Sequence, residues 1–278
     1  MGKRGLTLLA AAVATVVGVG VVIAGSNAGV WPAIPWTAYL DLPSDPSSGF
    51  GPGVGAEPDP DASYPPAMEV DDLYAAFTTL GSAVSYGEPV NLASASAGSV
   101  TLPSGRLVAT DAMLPDGDPF EHTALPGEHP VTLLTVDLPD VGDHRVAAAM
   151  LRVAAGDPVR WEPATLARDD AGGLGPDEAF GIAVDSGTAA FMGPEAVEAL
   201  ADQAAYEPYS DAVTDGLYPD ATTMRDAVVV VVDPGSGADA VAFTTGFGDG
   251  WYPVHVGLDA DGRPIVFLVD FGLLDAPS

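Results

Sequence analysis

Three acidic residues sit in surroundings that suit chemistry. Asp185 opens Asp185-Ser186-Gly187-Thr188 directly after the apolar Ile182-Ala183-Val184. Asp-Ser-Gly after apolar residues is the local pattern of aspartic-peptidase chemistry, in which two carboxylates share a proton across a water nucleophile. One motif supplies half of such a site. No second Asp-Ser/Thr-Gly occurs, so that mechanism requires a symmetric dimer or a partner aspartate elsewhere in the chain. The structural alternative is a turn that connects two strands. Glu162, after Arg160-Trp161, would form a glycosidase carboxylate pair with Asp185 or Asp249, at a separation that sequence does not set. Arg160 and Glu162 share one face of a strand, where they can also simply pair with neighbours.

Asp249 lies in the densest glycine and aromatic punctuation of the chain, the stretch from Phe243 to Phe271. Gly246, Gly248 and Gly250 alternate there with Phe247, Asp249 and Trp251. On an extended backbone the glycines share one face and leave it bare to a ligand or another backbone. Glycine equally permits positive φ, and then the segment is an irregular connection. The functional reading is a binding shelf built from Gly246, Gly248, Asp249, Gly250, Trp251 and Tyr252, joined by Trp161. The alternative is a corner whose aspartate caps backbone amides.

Other chemistries find little support. His122, His129, His144 and His255 lack short metal-ligand spacing, so no metal is expected. Asp259-Ala260-Asp261-Gly262 has half the spacing of a calcium loop and lacks its terminal glutamate; it reads as a hairpin turn. There is no phosphate loop, dinucleotide fingerprint or Gly-x-Ser-x-Gly elbow, and no cofactor is expected.

The elements that must position these residues are mostly strands. Alternation and β-branched runs predict them near 106–110, 129–137, 145–153, 159–166, 179–184, 188–192, 227–232, 240–245, 252–258 and 264–269. Ile265 to Val269 is apolar at every position, which suits a strand covered on both faces. Gly235-Ser236-Gly237 reads as a hairpin loop. Two helices are expected. One uses Met68, Leu73, Ala76, Phe77 and Leu80, with acids in its first turn and Gly81 closing it. The other starts at Pro194 and uses Ala196, Val197, Leu200 and Ala204. Residues 206–223 lack a period and read as a loop. The fold class is mainly β (β-rich α+β), an antiparallel sandwich or curled sheet with two peripheral helices, preceded by an N-terminal apolar helix.

Several segments together carry a family resemblance. They are Leu102-Pro103-Ser104-Gly105-Arg106 with Asp111, Pro126-Gly127 with Pro130-Val131, Arg160-Trp161-Glu162 and Asp185-Ser186-Gly187-Thr188. Downstream come Gly246 to Pro253, then Gly257 to Arg263, then Val269-Asp270-Phe271. Over about 99–274 the chain resembles an uncharacterised bacterial family, domain of unknown function 4241. Gly248-Asp249-Gly250-Trp251-Tyr252-Pro253 is its most specific part. The resemblance brings no activity, ligand or catalytic residue with it.

The chain carries 39 acidic and 9 basic residues, a formal charge of −30, and no cysteine. Such a surface repels nucleic acid and anionic lipid headgroups. Lys3 and Arg4 precede an uncharged apolar run over 6–24, which as a helix spans ~28 Å against a hydrocarbon core of ~30 Å. Trp31, Trp36 and Tyr39 then sit at the depth of an interfacial belt. Two readings compete: an uncleaved anchor with its N-terminus inside, or a signal peptide cleaved near Ser26-Asn27-Ala28. Both place the remainder outside the cytoplasm. Residues 41–66, rich in Pro, Gly, Ser and Asp, read as a linker. The organisation expected is 1–28 as signal or anchor, 29–66 as linker, 67–98 as helix and connection, and 99–278 as the β-rich domain. The function expected is a membrane-tethered or secreted envelope protein that binds an unknown envelope or extracellular partner or ligand without catalysis. The rival is a hydrolase using Asp185, Asp249 or Glu162.

Overall fold

The structure is a computed structural model and describes residues 67–138, 143–169 and 180–277. The apolar run 6–24, the aromatic residues that follow it and the linker 41–66 lie outside the described residues. Among the described residues no helix is long and apolar enough to cross a membrane.

In chain order the elements are α1 (Val70–Thr79), β1 (Ser82–Ser85), β2 (Glu88–Leu102), β3 (Val108–Asp111), β4 (Gly127–Leu138), β5 (Asp143–Arg152), β6 (Arg160–Pro163), β7 (Gly181–Val184) and β8 (Thr188–Met192). Then follow α2 (Pro194–Leu200), α3 (Gln203–Leu217), β9 (Ala227–Asp233), β10 (Ala238–Thr244), β11 (Gly250–Leu258) and β12 (Pro264–Asp270). They form two antiparallel sheets. The 8-stranded one runs β1-β2-β4-β5-β12-β11-β6, with β7 pairing the N-terminal part of β11; the 4-stranded one runs β3-β8-β10-β9. The fold is mainly β, a curled antiparallel half-barrel with three helices.

Period-2 patterning decides what lies between the layers. Along β12, Phe267 and Val269 enter the core shared by both sheets, with Leu133 and Leu151 of the large sheet and Phe191 and Phe243 of the small one. Val266 and Leu268 point the other way, into a core covered by Leu73, Ala76 and Phe77 of α1 and by Leu273 and Leu274. This is why β12 is apolar at every position. A third core lies on the outer face of the small sheet, where Ala190, Met192 and Val230 meet Ala196 and Leu200 of α2 and Tyr209, Val213 and Leu217 of α3. Full burial of a side chain such as Phe267 contributes about 1.5–3 kcal/mol.

The sheets are fastened where β2 bends. A bulge between Ser96 and Gly98 breaks its register with β4, and Gly98 takes φ +98°. Further along, Thr101 donates to Asp239 of β10 through its amide (2.6 Å) and its hydroxyl (2.8 Å). The predicted hairpins form: Gly262 (φ +79°) turns β11 into β12, and Gly237 (φ +76°) turns β9 into β10.

Two expectations are corrected. Residues 206–217 are not a loop: α3 occupies Gln203–Leu217, takes Ala204 out of the helix that starts at Pro194 and ends at Leu200, and makes three helices rather than two, which leaves 218–223 as the loop. Asp202 caps α3 by accepting from the Ala204 amide, and Pro208 sits inside it. Its apolar contacts, Tyr209, Val213 and Leu217, recur every four residues, the spacing of one helix face. The stretch 67–98 is more than a helix and connection: it holds β1 and most of β2, which continues unbroken past residue 99.

Candidate functional site

Strands β7 and β8 are joined by Asp185-Ser186-Gly187, and this turn is fastened from below by Asp111, the last residue of β3. Asp111 is buried. Its Oδ2 accepts from the Asp185 amide (2.7 Å) and the Ser186 amide (2.8 Å). Its Oδ1 accepts from the Ser186 hydroxyl (2.7 Å), the Met113 amide (2.7 Å) and the Leu114 amide (3.1 Å). The Ser186 hydroxyl also lies 2.8 Å from Thr188 Oγ1. Ser186 therefore spends its proton on a structural network, with no imidazole in reach to activate it as a nucleophile.

A second turn, between β10 and β11, lies against the first. The Thr245 amide donates to the Gly187 carbonyl (3.2 Å). The Gly248 carbonyl accepts from the Thr245 hydroxyl (2.7 Å) and the Tyr252 hydroxyl (2.7 Å). Gly246 and Gly248 take φ +34° and +111°, so this segment is an irregular connection rather than an extended strand with one bare face. Phe247 at its tip packs at 5.7 Å against Tyr86, and the Arg145 guanidinium lies 5.7 Å from its ring centre. Arg145 also donates to the Gly246 carbonyl (3.4 Å).

Register brings two of the predicted carboxylates together. Gly250 pairs with Val184, so the next step outward sets Asp249 opposite Asp185. Both are exposed. Burial raises the Asp249 pKa, the negative charges of Asp185 and Asp111 raise it further, and the Gly187 amide partly offsets them. The pair opens onto solvent, whereas Asp111, the buried member, faces backbone amides. What this arrangement can do well is hold a cationic group between Asp185 and Asp249.

Glu162 does not join them. It lies opposite Val256, six strand residues from Gly250 and so roughly 20 Å from the turn, beyond the ~5–9.5 Å of either glycosidase geometry. It pairs with Arg160 (3.1 Å) and with His122 (3.8 Å). Trp161 is also remote. Its indole donates to Asp71 (2.7 Å) and its ring meets Tyr74 edge-on at 5.5 Å, so it docks α1 on the sheet. Trp251 and Tyr252 stand at the start of β11 on opposite faces. Tyr252 enters the inner core, and the Trp251 indole nitrogen is buried without a hydrogen-bond partner among the described residues. Among the described residues no group of three His, Asp or Glu side chains is placed to hold a metal ion.

Three groups were missed as sequence candidates. Asp111 is visible before the structure only as one position of the family resemblance. Asp270 and His255 lie on the outer face of β12 and β11, opposite the inner core. Burial pushes Asp270 up to about 6 against a helping Gly272 amide, and pushes His255 down to about 4. Asp270 enters the sequence reading only through the family resemblance, and His255 only as a histidine without metal-ligand spacing.

No curated protein and no solved structure matches this chain. A family model matches residues 100–269, from the last three residues of β2 to the end of β12 but one, and spans both turns of the site. The chain belongs to the family described as protein of unknown function (DUF4241).

Proposed function

We propose that this chain is a membrane-tethered or secreted extracytoplasmic protein that binds a partner or ligand through its β-rich domain, without catalysis. One observation carries the binding half. The buried carboxylate and the hydroxyl beneath the 185–187 turn are spent on architecture: Asp111 holds the turn through backbone amides, and Ser186 donates into the same network. What remains available is the exposed pair Asp185 and Asp249. Two like charges facing each other across a strand pair are unfavourable until a cation lies between them. That favours a ligand bearing an amine or guanidinium group over nucleic acid or anionic lipid. The location half rests on the charged N-terminus, the apolar run over 6–24 and the linker over 41–66.

The experiment has two arms. The full chain, expressed with its own N-terminus, is fractionated and exposed to protease on intact cells. Cleavage only after lysis would overturn the extracytoplasmic location. The purified chain, its Asp185→Asn variant and its Asp249→Asn variant are incubated with denatured protein and with aryl glycosides. Hydrolysis by the wild type that both variants lose would replace the binding reading by the hydrolase one.

A further inference from the structure

At the end of β4 the two sheets are joined by a single imidazole. Val136 and Leu138 of β4 enter the core on the outer face of the large sheet. Asp137 between them therefore points the other way, toward the small sheet, and His144 of β5 is its cross-strand partner. The His144 ring lies between two carboxylates. Its Nδ1 stands 2.7 Å from Asp137 Oδ1, and its Nε2 stands 3.3 Å from Asp226 Oδ2. Asp226 immediately precedes β9 of the small sheet, and its carbonyl accepts from the Thr244 amide of β10 (3.0 Å). Among the described residues the Asp226 carboxylate has no other partner. A carboxylate only accepts, so both contacts are hydrogen bonds only when both ring nitrogens carry a proton. A neutral ring keeps one N–H and turns the lone pair of its other nitrogen toward a negative oxygen.

We propose that His144 is a pH-responsive clasp between the two sheets, closed as an imidazolium across Asp137 and Asp226 and released from Asp226 when the ring loses its proton. The remaining proton stays on Nδ1, beside the nearer carboxylate. The surroundings favour the charged form. Burial alone would lower the His144 pKa, but the hydrogen bonds and charges of Asp137 and Asp226 hold it above the ordinary 6.5. The other charged groups nearby are engaged elsewhere or stand apart. Asp143 accepts from the His144 amide (2.9 Å) and pairs with Arg145, which donates to the Gly246 carbonyl (3.4 Å). β2 presents the neutral Asn91 opposite Asp137. Arg225, beside Asp226, is exposed, and Asp140 lies outside the described residues. Tyr218, after α3, has its pKa raised by burial against the charge of Arg145 and stays neutral over the range in which His144 titrates. Because the folded pKa of His144 is raised, the clasp is fully closed below the ordinary value and is lost as pH rises through the folded one. Its release reaches the turn that carries Asp249. Thr244, bonded to Asp226, is followed by Thr245, which holds the Gly187 and Gly248 carbonyls. The grip from β5 persists, since the Gly246 amide still donates to the Val146 carbonyl (3.1 Å).

Nuclear magnetic resonance of the full chain in mild detergent tests this, with His144→Gln used to assign the ring signals. The expected result is a His144 ring that titrates above 6.5 and shifts downward in Asp226→Asn. Hydrogen exchange of the Thr244 amide, corrected for its intrinsic rate, reports the clasp itself. From pH ~5 to pH ~8 its protection should fall about two- to fivefold, the range of an exposed ion pair, while that of the Val153 amide, bonded to Ile265 far along the large sheet, does not follow it. In Asp226→Asn that pH dependence should disappear. A ring that titrates at or below 6.5, or whose titration ignores Asp226→Asn, overturns the proposal. So does a Thr244 amide whose protection changes with pH equally in the wild type and in Asp226→Asn.

Discussion

Asp111 shows how much one side chain holds in place. Its two oxygens accept four backbone amides and the Ser186 hydroxyl. Asp111→Ala leaves those donors around a buried void, and each unpaired buried donor costs about 1–3 kcal/mol. The expected loss exceeds about 3 kcal/mol, a large part of a typical ~5–15 kcal/mol, and is read from the midpoint of denaturant unfolding. Asp249→Asn should act in the opposite sense. The folded pKa of Asp249 is raised, so its contribution to stability is greatest when it is protonated and declines as pH rises through its folded pKa. At neutral pH the variant should melt at or above the wild-type temperature, and the gap should close as the buffer is made acidic. A lower melt at neutral pH would assign Asp249 an essential capping role instead. The types of Asp185 and Asp249 were legible in sequence, but their adjacency was not, since it follows from the pairing of β7 with β11. The importance of Asp111 was hidden for a related reason: a strand-ending aspartate looks the same whether it caps its own turn or also clamps a distant one.

Strands were legible where branched side chains alternate, which is why β3 to β12 lie close to their predicted positions. β2 was not, because it alternates alanine with serine over Ala93-Ser94-Ala95-Ser96, and the faint period-2 signal comes from small residues. α3 was hidden by Pro208 and by its acids, although Asp202 and the four-residue spacing of Tyr209, Val213 and Leu217 were present to be read. The short strand β7 depends on a residue with no side chain. A Cβ on Gly181 would stand 2.1 Å from the Tyr252 carbonyl oxygen, a backbone atom that cannot retreat without parting β7 from β11. Gly181→Ala should therefore lower the melting temperature more than Gly248→Ala, which has room (3.9 Å from the Gly187 Cα) and is strained only by φ +111°. Equal melts for the two would contradict this account of the pairing. On the outer face of β11 and β12 the signs oppose. Asp270, raised from 3.8 to about 6, costs stability as pH rises through that interval. His255, lowered from 6.5 to about 4, costs stability as pH falls through its own. Asp270→Asn should raise the melt above pH ~6 and leave a steeper acid-side loss, and His255→Gln should relieve that loss. A melting series from pH 4 to 8 distinguishes them, because a shared cause would move both limbs together.

At the scale of the whole molecule, the segment that matches the family is smaller than the segment that folds. The match begins at residue 100, inside β2, and ends at residue 269, before the last residue of β12. Outside it lie Leu73, Ala76 and Phe77, which cover the outer face of the large sheet, and Val90, Leu273 and Leu274, which complete the same core. Phe271, also outside, sits in the inner core against Phe243 (6.2 Å) and Tyr252 (4.9 Å). Trimming to 100–269 would also expose the β4 edge along the pairs from Asn91↔Asp137 to Ser99↔Pro130. Each large side chain removed from a core costs about 2–5 kcal/mol, so losing several together exceeds the whole stability of an ordinary domain. The sequence reading sets the start of the β-rich domain near residue 99 because the β signals become strong there; α1 and β1, which precede it, pack into the same cores, and Ala67 bridges Asp275. A chain of residues 67–278 should give one sharp thermal transition, and a chain of residues 100–269 should give none and should bind a dye for exposed apolar surface. Should the shorter chain melt cooperatively, α1, β1 and the C-terminal segment would be accessories to a core that closes without them. The outer face of the large sheet would then be free to accept a different cover in other members of the family.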